Sequence, residues 1–233
     1  MNHRLLLFDI DGTILKVDEG LSKNIFVEVF SDFFNVNIQD STIDFDFSGL
    51  TDLNILFRIS TKIGLDFNKV LENIEPLWDL MFEEFRKRCR RENIHIFPGV
   101  FPFIQELSKR EDVVLGLLTG NFRRCAYYKL NLIELDKYFP FGAFGDERID
   151  RSDLHRLAIR RANEFAGKEL FSTANTFVLG DSVQDIVSAK RNGIRVIAIA
   201  TGRTDRLALV KSLPDMVVDS FDQRQEILKF IGI

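Results

Sequence analysis

Leu6-Leu7-Phe8-Asp9-Ile10-Asp11-Gly12-Thr13 is the stretch that decides how this chain is read. An apolar run stops at two carboxylates one residue apart, and a Gly-Thr turn follows. A strand over Leu5 to Phe8, buried in a sheet, would hold Asp9 at its carboxyl end, where open α/β sheets bind their ligands. Two acids that close repel each other unless they share a cation or a proton. A hard divalent metal such as Mg²⁺ suits carboxylate and phosphate oxygens. Asp and Gly after an apolar run are also ordinary turn formers, so this segment alone leaves both readings open.

Further apolar runs of strand type recur at Val113–Leu118, Phe177–Leu179, Arg195–Ile199 and Met216–Val218. Their unbroken hydrophobicity suits parallel strands covered on both faces. Helical patterns fall between them at Val100–Arg110, Arg124–Leu130, Ser152–Ala166 and Asp185–Asn192, with Gly193 as a stop. The alternation predicts an α/β fold with a Rossmann-like, doubly wound parallel sheet. From Lys16 to Ile94 the rhythm changes to amphipathic helices at Ser22–Phe34, Asp52–Ile63, Asn68–Ile74 and Pro76–Arg90, with few convincing strands. Residues 16–94 are therefore expected to be a helical insertion, and residues 1–15 plus 95–233 the α/β core, re-entered at Pro98-Gly99.

Two other strand ends carry polar residues. The second finishes at Thr119-Gly120-Asn121, which is also a plausible turn and N-cap. The third finishes at Gly180-Asp181-Ser182-Val183-Gln184-Asp185, with two acids four residues apart on one face of a starting helix. Acids in a first turn also favour the helix dipole. Each signal is weak alone, but a parallel sheet gathers all of them into one cleft. Converging buried charges cost stability unless a metal compensates.

Composition narrows the partners. The 233 residues hold 31 basic and 35 acidic side chains, a net charge of −4, so nothing global points to nucleic acid or an anionic membrane. The basic cluster Arg86-Lys87-Arg88-Cys89-Arg90-Arg91 follows an apolar helical pattern and reads as a helix C-terminus. Two cysteines and three scattered histidines make neither a disulfide framework nor a zinc site. The first apolar run is too short for a signal peptide, and no stretch of about 18 apolar residues exists, so a cytoplasmic location is expected. The 23 phenylalanines, mostly at helical or strand spacing, read as core. Oligomeric state has no signature here.

The ordered motifs resemble the haloacid dehalogenase superfamily, in particular its phosphatases with a helical cap. They are Asp9-Ile10-Asp11-Gly12-Thr13, then Thr119-Gly120-Asn121, a basic residue, and Gly180 to Asp185. Within the helical insertion, Gly49-Leu50-Thr51-Asp52 resembles a stretch of phosphoglycolate-phosphatase-like members. The resemblance implies a Mg²⁺-dependent hydrolase of small phosphate monoesters, with phosphoglycolate the nearest substrate and a small phosphorylated metabolite as partner. Asp9 would be the nucleophile that forms an aspartyl-phosphate, and Asp11 the general acid and then base. Mg²⁺ would be held by Asp9, Asp11 through its backbone carbonyl, and Asp181, with Asp185 as ligand or anchor. Gly12, Thr13, Thr119, Gly120 and Asn121 would surround the phosphoryl group. The family usually supplies a lysine between the second and last motifs, but none stands at Gly145–Ser152. Arg151 is the expected replacement, ahead of Arg148, while Lys168 lies too far along.

Two other activities share these motifs. A phosphosugar mutase would use Asp9 and Asp11 in the same way, and phosphate release separates it from a phosphatase. A non-catalytic phosphate-binding regulatory module would bind Mg²⁺ and phosphate analogues without turnover. A dehalogenase has no use for Asp11.

Overall fold

The structure is a computed structural model that describes residues 3–38 and 43–233. The opening apolar run becomes β1 (Arg4–Phe8), at the centre of a six-stranded parallel sheet. Two more strands, β2 (Leu15–Val17) and β3 (Ile94–Ile96), pair with each other in antiparallel fashion outside that sheet. On either side of β1 run β4 (Val113–Leu118) and β6 (Thr176–Gly180). β5 (Gly142–Ala143) continues the sheet beyond β4, while β7 (Arg195–Ile199) and β8 (Met216–Val218) continue it beyond β6. The order β5-β4-β1-β6-β7-β8 puts the carboxyl ends of β1, β4 and β6 side by side, where the chain reverses its direction of winding.

The unbroken apolar runs are explained by cover on both faces. Leu6 and Phe8 face one core and Leu5 and Leu7 the other, since strand side chains alternate. Phe8 meets Phe139, Phe221 and Phe103 at ring separations of 5.6, 6.1 and 6.2 Å. Such pairs add about 0.5–1.5 kcal/mol each beyond the area they bury. The core on the Phe8 side is covered by α5 (Val100–Ser108), and the opposite core lies under α7 (Ser152–Ala166) and α8 (Val183–Arg191).

Between β2 and β3 the chain forms α1 (Leu21–Phe34), α2 (Asp52–Ile63), α3 (Phe67–Glu72) and α4 (Ile74–Arg88). The amphipathic patterns are realised with shifted ends. The expected helix to Ile74 stops at Glu72, because Asn73 closes α3 and opens α4. Pro76 then falls in the first turn of α4, where a missing N–H costs no helical bond. The basic cluster does mark a helix end: α4 closes at Arg88 with Cys89 as its C-cap. The ribbon of β2 and β3 was not anticipated, since three residues each are too few to show a period.

α4 packs on α1 and on α6 (Arg123–Asn131) of the sheet's flank. Trp78 stacks on Phe122 at 4.9 Å, and Tyr128 O–H donates to the Cys89 carbonyl at 3.1 Å. Many of the phenylalanines are spent in these contacts and in the sheet's cores, as the spacing suggested. No helix among the described residues is long and apolar enough to cross a membrane.

Candidate active site

Asp9 follows directly on β1, Thr119 on β4 and Asp181 on β6, so all three emerge from the same edge of the sheet. Ser182 then caps α8, its hydroxyl accepting from Asp185 N–H at 3.1 Å. The cap box returns Asp185 toward the strand ends: its Oδ2 accepts from Ser182 N–H at 3.0 Å and from the Ser182 hydroxyl at 2.6 Å. Carboxylate oxygens of Asp9, Asp181 and Asp185 lie within 4.8 Å of one another, and all three residues are buried.

Arg151 stands at the start of α7 and is the cation of this cluster. Its Nη2 donates to Asp9 Oδ1 at 3.0 Å, to Asp185 Oδ1 at 2.5 Å and to the Leu118 carbonyl at 3.3 Å. Arg148, the runner-up, is hydrogen-bonded among the described residues only to the carbonyl of Glu147 beside it. The structure therefore brings Arg151, not Arg148, to the acids.

Three buried carboxylates face one guanidinium. Burial pushes Asp9 up to about 7 against the pull of Arg151, with Asp185 and Asp11 adding like-charge repulsion. Asp181 is raised well above the usual carboxylate range, first by burial and then by Asp9 and Asp185. A cluster with this excess of buried oxygen charge fits a hard divalent cation. Both oxygens of Asp185 already have partners, so it reads as the anchor of Arg151 and Ser182 rather than as a free ligand. Asp9 and Asp181 are less committed: among the described residues Asp181 Oδ1 receives only the Thr13 hydroxyl, at 3.2 Å.

Gly12 turns the chain between the two acids of the first motif and the rest. It has φ +91°, and a Cβ there would fall on the Asp181 carboxylate. No other residue type meets both demands, conformational and steric.

Asp11 belongs to a different network. It accepts two hydrogen bonds from Lys129 Nζ, at 2.9 and 2.7 Å, and one from Asn121 Nδ2 at 2.6 Å. Lys129 also donates to Asn121 Oδ1 at 2.7 Å, and Asn121 Nδ2 reaches Thr119 Oγ1 at 2.8 Å. Burial works against the charge of Lys129, but the adjacent Asp11 outweighs it and holds the ammonium above the usual lysine range. Lys129 escaped the sequence reading, although a lysine on the same helical face as Cys125, Ala126 and Leu130 was a visible signal. Asn121 was expected beside the phosphoryl group; its side chain proves to be the bridge between Thr119 and Asp11.

The start of α2 lies directly over these strand ends. Asp52 N–H donates to the Gly120 carbonyl at 2.7 Å, Leu53 N–H to the Gly145 carbonyl at 2.9 Å, and Arg151 Nη1 to the Gly49 carbonyl at 3.4 Å. Thr51 N-caps α2 and donates its own hydroxyl proton to the Ile149 carbonyl at 2.9 Å. Burial pushes the Asp52 carboxyl up to about 7, although it accepts a 2.7 Å bond from Phe122 N–H.

This arrangement has counterparts. A haloacid dehalogenase-like hydrolase family matches residues 6–199. Among curated relatives, the pyrophosphatase PpaX of Oceanobacillus iheyensis is 26% identical over 100% of this chain and 98% of its own length. A phosphoglycolate phosphatase of Agrobacterium fabrum is 23% identical over 93% of this chain and 88% of its own. Among solved structures, a hydrolase from Pseudomonas syringae superposes with a TM-score of 0.72 at 19% identity, covering 99% of this chain and 100% of that one. With the family matched over most of its length and the acids of its strand ends gathered at one edge of a parallel sheet, the chain belongs to the haloacid dehalogenase-like hydrolases.

Proposed function

We propose that the protein is a Mg²⁺-dependent phosphatase of small phosphate monoesters that works through an aspartyl-phosphate on Asp9. The observation that carries this reading is the contrast between the two acids of the first motif. Asp9 sits among buried acids that want a cation, while Asp11 is held separately by Lys129 and Asn121. One is suited to attack phosphorus and the other to handle protons.

In the first step an Asp9 carboxylate oxygen attacks phosphorus, the bond to the leaving oxygen breaks, and Asp11 gives that oxygen a proton. In the second, Asp11 takes a proton from water as the water attacks phosphorus, releasing inorganic phosphate and restoring Asp9. Arg151 braces the nucleophile, and the Thr119 to Asn121 turn offers donors to phosphoryl oxygens. Mg²⁺ would be held by Asp9, Asp181 and the Asp11 carbonyl, and when bound it supplies positive charge that lets an anionic phosphate approach an anionic carboxylate. Residues 16–94 act as a cap, a reading supported by the hydrogen bonds of Gly49 to Leu53 with the strand ends.

Phosphate release from a generic aryl phosphate, with and without chelator, tests the reading. Phosphoglycolate and pyrophosphate follow as the first natural candidates, given the relatives' names. Activity that survives both chelation and Asp9→Asn would refute it.

A further inference from the structure

We propose that the enzyme selects substrates whose leaving group carries a second anionic group, and that Lys129 is the residue that receives it. This rests on the phosphatase reading above and specifies its substrate class.

All three Nζ protons of Lys129 have partners: two go to Asp11 and one to Asn121. The two sides of this ion pair differ in exposure. The Lys129 side chain is 3% exposed and that of Asp11 38%. Lys129 faces a partly open cavity of about 50 Å³ lined by α1, α4, the start of α2 and α6, with Ile25, Phe26, Met81, Phe85 and Phe122 in its wall. The polar remainder is small: Ser22, Asn121 and Asp52, whose burial leaves it less charged than an ordinary carboxylate near neutrality.

Proton transfer requires the Asp11 carboxyl to turn toward the leaving oxygen. A carboxylate that accepts two bonds from one ammonium gives up at least one of them when it turns. The released N–H then points into a cavity with mostly apolar walls, and an unsatisfied charged donor there is costly. A carboxylate or phosphate on the leaving group takes up that bond in charge-assisted form, whereas a neutral alcohol offers a weaker acceptor. Substrate charge and the release of Asp11 are thereby coupled. The cavity holds roughly three to four water-sized groups, which suits a short hydroxycarboxylate or a single phosphate and not a sugar ring.

The test compares 2-phosphoglycolate with 2-hydroxyethyl phosphate, nearly equal in size and differing in the terminal charge. Wild-type protein should favour the anionic ester in kcat/KM by roughly 10- to 100-fold, the scale of one charge-assisted hydrogen bond. Lys129→Met should bring the two within about threefold, and Lys129→Arg should restore part of the preference. A residue that only positions Asp11 would lower both substrates by one factor and leave their ratio intact, which would overturn the proposal. A measurement on the wild type guards against misfolded variants: glycolate should inhibit aryl phosphate hydrolysis, while 1,2-ethanediol at equal concentration should not. Equal inhibition by the two would also overturn it. Pyrophosphate separates the two anion chemistries, since its turnover should lose as much as that of phosphoglycolate in Lys129→Met if the site accepts both. Wild-type protein that hydrolyses both esters equally sinks this inference alone; protein that hydrolyses no phosphate ester sinks the phosphatase reading with it.

Discussion

Asp9 and Asp11 are two residues apart, yet Asp9 shares one guanidinium with buried Asp185, with Asp181 close by, whereas Asp11 has an ammonium of its own. The first network has an excess of negative charge and is closed in; the second is balanced and lies beside a cavity lined by α1 and α4. On the proposed mechanism their difference separates two kinds of carboxylate: one made reactive by an added cation, the other kept free to change partners.

The largest effect that breaks this comparison is chemical. Asp9→Asn should lower kcat roughly 10³- to 10⁴-fold with the fold retained, because on the proposed mechanism it removes the nucleophile; steady-state phosphate release with circular dichroism checks both halves. Next, Arg151→Met should destabilise the protein by about 3–5 kcal/mol in urea unfolding, since it strands the charges of Asp9 and Asp185 in a buried site. A wild-type-like midpoint would mean that those acids do not depend on Arg151.

The third effect sharpens the contrast between the negatively charged and the balanced network. Saturating Mg²⁺, at about 100 times its dissociation constant, should stabilise the folded protein by about 2.7 kcal/mol, read as a rise in melting temperature. Asp181→Asn should shrink that rise, and in chelator it should melt above wild type because one repelling charge is gone. The smallest effect concerns the start of α2. The Asp52 carboxyl has a folded-state pKa of about 7 against an ordinary 3.8, through burial. Between those values the folded protein binds the proton more tightly than the unfolded chain, so stability falls as pH rises. Asp52→Asn should make that fall shallower between pH 4 and 7, measured as the urea midpoint of each protein across the range.

Much of the site could be read from the chain because it is local. Asp9 and Asp11 share one turn, Asp181 and Asp185 share another with the Ser182 cap, and apolar runs before each turn announce the buried strands that end there. Arg151 was legible as the only basic residue at a helix start in the expected stretch, and the structure brings it to Asp9. Lys129 was not, because its partner lies 118 positions away and nothing in a helix pattern says which buried lysine meets an acid. The β2 and β3 ribbon was hidden for the same reason: its strands are three residues each, and their pairing joins Lys16 to His95 across the whole helical insertion.

Periodicity and turn chemistry, which act over a few residues, were enough to establish the α/β core, the helices between β2 and β3 and the acids at the strand ends. Sheet order, the sharing of Arg151 between Asp9 and Asp185, and the capture of Asp11 by Lys129 came only from the folded chain. Those features depend on which distant groups become neighbours in a buried, low-dielectric space, and there a partner's charge outweighs any local propensity.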